Sequence, residues 1–187
     1  MTLHAKKIPY RIEEVTPAIG QIDIFQLSGQ KQLPIIMDDN GQIVCDSSNI
    51  CEYLDKKNSY NPLFPDDFLL LAQAKVIEDW ADTTMASSCK KALIKAAFEN
   101  NKLRKALLPD EIPNTIKGVF EKLPFNKINK LSNIVLSNKS NVELQKILEF
   151  LSKALVNKKF ILGNSLSIAD ISIASQLSFC LLYTSPS

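Results

Sequence analysis

An acid followed by two hydroxyls, Asp46-Ser47-Ser48, stands where one hydrophobic rhythm gives way to another. Before it, Gln42-Ile43-Val44-Cys45 has the composition of a strand. After it, Ile50, Tyr53 and Leu54 share one face of a helix. Asp and Ser at that junction offer N-cap side chains. A helix that starts at a strand end also presents unpaired backbone N–H groups and a positive dipole end. That suits a carboxylate ligand, as an acid suits an ammonium. Plain capping, worth about 1 kcal/mol, accounts for the same residues, and both roles can hold together.

Pro34 lies upstream, before the apolar run Ile35-Ile36-Met37. Asp38-Asp39-Asn40-Gly41 is rich in residues that tolerate positive φ, so the two apolar runs read as a hairpin. Pro34 has two readings. A trans-proline would begin an edge strand. A cis-proline would turn the chain so that the N–H and C=O of Leu33 face an extended ligand, bound like an added strand. A third constellation is Ser167-Ile168-Ala169-Asp170. Ser167 reads as an N-cap and Asp170 as the reach-back acid of a capping box, with Leu166 and Ile171 as a hydrophobic staple. This device is structural: it starts a buried helix expected over Ile168 to Leu177.

Other elements must position these residues. Tyr10 to Val15 alternates like a strand, and residues 16–20 read as a loop. Ile22, Ile24, Phe25 and Leu27 belong to a short helix or irregular turn before Gly29. A helix is expected from about Ser47 to Lys57, then a linker with Pro62 and Pro65. Leu70, Ala74, Ile77 and Ala81, with Trp80 beside them, open a helix that should run to near Lys91. A second helix is expected over Ala92 to Ala106. Pro109, Pro113 and Pro124 punctuate the next stretch, with a helix between the last two. Asn141 to Val156 is amphipathic, with Val142, Leu144, Ile147, Leu148, Leu151 and Leu155 on one face. Residues 158–163 read as a short extended approach to the last helix.

Composition narrows the function classes. The 187 residues suffice for one large domain or two small ones. A net charge of +2, with scattered lysines, gives no reason to expect a nucleic-acid partner. Cys45, Cys51, Cys89 and Cys180 form no Cys-x-x-Cys pair, and the lone His4 gives no metal cluster, so no metal is expected. Cys45, Cys51 and Cys89 read as core residues. The cysteine pattern, with no signal-peptide pattern or apolar run of transmembrane length, points to a reduced, cytoplasmic setting and no membrane partner. Glu78, Asp79 and Asp82 read as a solvated helix face.

The run from Leu33-Pro34 to Asp46-Ser47 and Tyr53-Leu54 resembles the glutathione-binding half of the thioredoxin-like domain in cytosolic glutathione S-transferases. Gly163 to Asp170 resembles the capping-box segment of that family's helical domain. The resemblance implies an α/β plus all-α fold: a truncated thioredoxin-like domain over 1–57, a linker over 58–66 and an all-helical domain over 67–179. It implies a cis Leu33–Pro34 bond, Ser47 holding the γ-glutamyl carboxylate and Asp46 helping to hold the α-amino group. Lys31 or Gln32 would be candidates for the glycyl end, although both read first as exposed loop residues. One of Glu78, Asp79 and Asp82 would line the cleft or subunit interface.

The same resemblance implies a first strand and helix start ahead of Met1, and there the Tyr, Ser or Cys that activates the glutathione thiol. No catalytic residue is therefore named here; Tyr10, Tyr53 and Tyr60 do not occupy that position. Residues 180–187 resemble a translated sequencing adapter and are set aside as a non-native tail. The activity implied for the parent protein is conjugation of glutathione to small electrophiles by a homodimer, with glutathione as substrate and no metal; this chain lacks the residue expected to activate the thiol. The alternatives are a glutathione-dependent thiol reductase or peroxidase, and a non-catalytic transferase-like binding or regulatory protein.

Overall fold

A computed structural model describes residues 1–15, 20–30, 32–100, 103 and 139–184. The chain opens with a four-residue helix, α1 (Thr2–Ala5), whose first turn closes through Ala5 N–H to Met1 C=O and Lys6 N–H to Thr2 C=O. Residues 8–15 then run without regular structure, with Tyr10 and Ile12 largely exposed. This corrects the strand expected over Tyr10 to Val15. Alternation prepares a strand, but a strand exists only when paired, and the sheet among the described residues contains two other segments.

The segment before Gly29 is a helix, α2 (Gly20–Ser28), closed by the Ser28 hydroxyl donating to Ile24 C=O at 2.7 Å. The hairpin comes next as expected, with β1 (Ile35–Met37) antiparallel to β2 (Ile43–Cys45). Ile35 faces Cys45, Ile36 faces Val44 and Met37 faces Ile43. Its turn is built by Asp38, whose carboxylate accepts from the N–H groups of Asn40 and Gln42 at 2.8 and 2.9 Å, and by Gly41 at φ 77°. That left-handed backbone is why glycine stands there.

Helix α3 (Ser47–Lys57) continues directly from β2 and buries Ile50, Cys51 and Leu54. After the linker, α4 (Phe68–Trp80) is capped by Asp67, whose carboxylate accepts from Leu70 N–H at 2.9 Å. A π-helical turn (Ala81–Met85) joins it without interruption to α5 (Ala86–Glu99). The break expected between Lys91 and Ala92 is absent. No Gly or Pro lies between Phe68 and Glu99 to stop the helix, and the irregularity falls instead at the wider π turn. The helices expected through Ala106 and between Pro113 and Pro124 lie in whole or part outside the described residues.

Helix α6 (Lys139–Ala154) carries the amphipathic segment, and α7 (Ile168–Thr184) the capped one, longer than expected. The core forms two clusters. Ala81, Met85, Cys89, Ile147 and Ile173 knit the π turn, α5, α6 and α7 together. Cys51, Leu63, Ala74, Ile168 and Ile171 join α3 and the linker to α4 and α7. Met85 is fully buried in the first, so Met85→Ala would cost about 2–5 kcal/mol.

Candidate glutathione site

The pairing of Ile35 with Cys45 brings the Pro34 end of β1 beside the Asp46 end of β2. The Leu33–Pro34 bond is cis. Leu33 is 60% exposed, and its backbone N–H and C=O make no hydrogen bond among the described residues. Across the hairpin, Asp46 is the N-cap of α3. Its Oδ1 accepts from Ser48 N–H at 3.0 Å and Asn49 N–H at 3.2 Å, and its carbonyl accepts from Ile50 N–H at 2.9 Å. The one first-turn donor left over is Ser47 N–H. The Ser47 hydroxyl and Asp46 Oδ2 are likewise without a partner among the described residues.

Asp46 holds φ 73° and ψ 134°, a region that non-glycine residues seldom occupy. Such backbone persists where the surroundings over-determine it, and it clusters at ligand-binding positions. Here it aims a carboxylate and a hydroxyl outward together, at the positive end of an eleven-residue helix. One exposed acid, one hydroxyl and one open N–H can receive a ligand bearing an ammonium next to a carboxylate. Of the two candidates for the glycyl end, Gln32 is exposed and Lys31 lies outside the described residues.

Three polar clusters hold α3 in place, and sequence reading missed all of them. Asp38 Oδ2 accepts from Tyr53 Oη and from Lys57 Nζ at 2.6 Å, pinning the hairpin turn to α3. The Lys57 ammonium, the Tyr53 hydroxyl and the Gln42 N–H hold the Asp38 carboxyl far below the usual carboxylate range. The same contact raises Tyr53 and Lys57. At the other end, Lys6 is fully buried and donates to Asp55 Oδ1 at 2.6 Å and to the carbonyls of Tyr60 and Asn61 at 3.1 and 3.4 Å. Asp55 also accepts from the N–H groups of Leu63 and Phe64. Between these, Lys75 of α4 pairs with Glu52 of α3, lowering the Glu52 carboxyl, and sits 4.8 Å from the centre of the Phe64 ring. The only sequence signal was Asp38 at a turn start; nothing in the spacing pairs Lys6 with Asp55.

The Ser167–Asp170 device differs in detail from the expected box. Asp170 Oδ2 accepts from Ser167 N–H at 2.9 Å, the expected reach-back. The Ser167 hydroxyl, however, donates to the same carboxylate oxygen at 2.7 Å instead of serving as an acceptor for the helix. Oδ1 takes Ile161 N–H at 2.7 Å, tying in the preceding loop. Leu166 packs on the cluster that contains Ile171, as a staple should.

Glu78 does not lie on a solvated face as expected: it is 5% exposed and 3.8 Å from Lys75 Nζ, because it shares the buried face of α4 with Ala74, one turn earlier. Asp79 and Asp82 are exposed, with Asp82 accepting from Gln176 at 3.3 Å. Cys51 and Cys89 are buried and Cys45 is half-buried. Burial raises the Cys51 thiol, whose sulfur lies 3.1 Å from the Thr2 hydroxyl, so it is a core residue and not a nucleophile. Among the described residues no cluster of metal-ligating side chains is present, and no helix is long and apolar enough to cross a membrane.

A proline-led hairpin feeding a helix start, joined by a linker to a helical bundle, defines a thioredoxin-like domain with a helical partner domain. Residues 1–57 match the family model described as glutathione S-transferase, N-terminal domain. Among solved structures, the chain is similar to glutathione S-transferase isozyme E7 from Drosophila melanogaster, at 24% identity and a TM-score of 0.63 over 98% of this chain and 70% of that one. It is also similar to glutathione S-transferase 1-6 from Anopheles dirus species B, at 14% identity and a TM-score of 0.67 over 100% and 73%. A glutathione S-transferase from Methylobacillus flagellatus with glutathione bound aligns at 17% identity and a TM-score of 0.64 over 97% and 75%. No curated protein sequence matches the chain. Residues 1–57 thus match the N-terminal domain of that family, and over its length the chain shares the fold of these structures.

Proposed function

We propose that the chain binds glutathione across the β1–α3 junction, as part of a glutathione S-transferase whose intact form conjugates it to small electrophiles. One observation carries the reading. Ser47 N–H, the Ser47 hydroxyl and one Asp46 oxygen stand unpaired among the described residues at a helix start, in a chain whose N-terminal domain matches this family. The γ-glutamyl carboxylate would accept from Ser47, and the α-ammonium would pair with Asp46. The unpaired peptide groups of Leu33 would pair with the tripeptide backbone as an added strand. A homodimer working in the cytoplasm, with detoxification as its role, goes with this reading. The proposed domain limits are 1–57 and 67–179, with 58–66 between.

Retention on immobilised glutathione tests it. Asp46→Asn with Ser47→Ala keeps an N-cap side chain and removes the acid and the hydroxyl. Retention of the unaltered chain, with loss in the double variant, supports the reading; equal behaviour of the two contradicts it. Turnover of an aryl halide against reduction of a glutathione mixed disulfide then separates conjugation from thiol exchange.

A further inference from the structure

A cleft lies away from the hairpin, between the linker and the loop that leads into α7. It encloses about 280 Å³, near the lower end of the range for small-molecule sites. Phe64 and Leu70 form one apolar wall, Leu162 and Leu166 the other. Both walls are fixed from behind. Asp55 holds the N–H groups of Leu63 and Phe64, and Ile168 N–H donates to Leu63 C=O at 3.0 Å. Asp170 holds Ile161 and Ser167. The cleft is therefore formed before any ligand arrives, which lowers the ordering cost of filling it.

Apart from Ser167, which is tied to Asp170, its polar rim is uncommitted. Asp66, Asn164 and Ser165 line the cleft, and none of their side chains has a hydrogen-bond partner among the described residues. The neighbouring Asp67 is spent on capping α4, whereas Asp66 is not. Asp66 is the one charged residue in the lining, so the complementary ligand charge is positive.

We propose that this cleft binds a small aromatic or aliphatic amine, its apolar body between Phe64, Leu70, Leu162 and Leu166 and its ammonium on Asp66. The proposal is independent of the glutathione reading. Calorimetric titration of the full chain with phenethylamine, beside the near-isosteric phenethyl alcohol, tests it. The amine is expected to bind saturably and about tenfold more tightly than the alcohol, the share of one charge-assisted hydrogen bond. Asp66→Asn should erase that difference, and Leu70→Trp, which fills the cleft, should abolish both. Absence of saturable amine binding, equal affinity for amine and alcohol, or amine binding unchanged by Asp66→Asn would overturn the proposal. Retention on glutathione is expected to be the same in the unaltered chain and in both variants, so failure at either site is visible separately.

Discussion

A single carboxylate can do the work of a small network. Asp170 accepts three hydrogen bonds, from Ile161 N–H, Ser167 N–H and the Ser167 hydroxyl. Asp170→Ala would leave two backbone donors at a crowded helix entry without partners. We expect a loss of about 2 kcal/mol or more, read as a lower urea midpoint. Ser167→Ala removes one of the three and should cost less, about 1 kcal/mol. The Ser-x-x-Asp spacing made this box legible, because a capping box is a local device written over four residues. The bond to Ile161 was not legible, because it joins residues nine apart through a loop.

Elements add what residues alone do not. The hairpin turn lies 15 and 19 residues before Tyr53 and Lys57 of α3, yet Asp38 fastens one to the other through them. Asp38 is depressed in the folded chain, so its contribution is fully present above the ordinary carboxylate range and fades as pH falls toward its folded value. Stability measured against pH should therefore drop on the acid side, and Asp38→Asn should flatten that limb. Some slope should remain from Glu52, which Lys75 also depresses. An acid limb unchanged in Asp38→Asn would show that the contact does not form. The hairpin and α3 could be read from the Asp-Asp-Asn-Gly turn and the Asp-Ser-Ser cap. Residues 8–15 misled because alternation is a property of one segment and strand pairing a property of two. The π turn misled because its extra residue per turn carries no marker such as Gly or Pro.

At the scale of the whole molecule, the linker is held from both sides. Asp55 and the buried Lys6 grip it from the N-terminal part, and Ile168 N–H grips Leu63 from α7. Asp55→Ala would strand the Lys6 ammonium in the interior and free two linker N–H groups. Loss of one partner of a buried pair costs about 3–5 kcal/mol, so the variant should unfold at a much lower temperature. Lys6→Met should be milder, because Asp55 keeps its two N–H donors. Equal stability of the two variants would mean that the ammonium is not buried as described. The two-part architecture was legible from the resemblance of the Leu33–Leu54 and Gly163–Asp170 motifs to a two-domain family, with the Pro-rich linker marking the boundary. The clasp was not, because a lysine and an aspartate far apart in sequence look like two surface charges until the fold brings them together.

In the proposed function the start of α3 receives the γ-glutamyl end of glutathione. Its most direct test tracks the Ser47 amide by NMR while reduced glutathione is added, since that N–H is the one first-turn donor without a partner among the described residues. A saturable shift at Ser47, absent with a tripeptide lacking the γ-linked carboxylate and amine, is the expected result. A Ser47 amide that stays in place while glutathione binds elsewhere, or fails to bind, would contradict the proposed function and leave Asp46 and Ser47 as a helix cap alone.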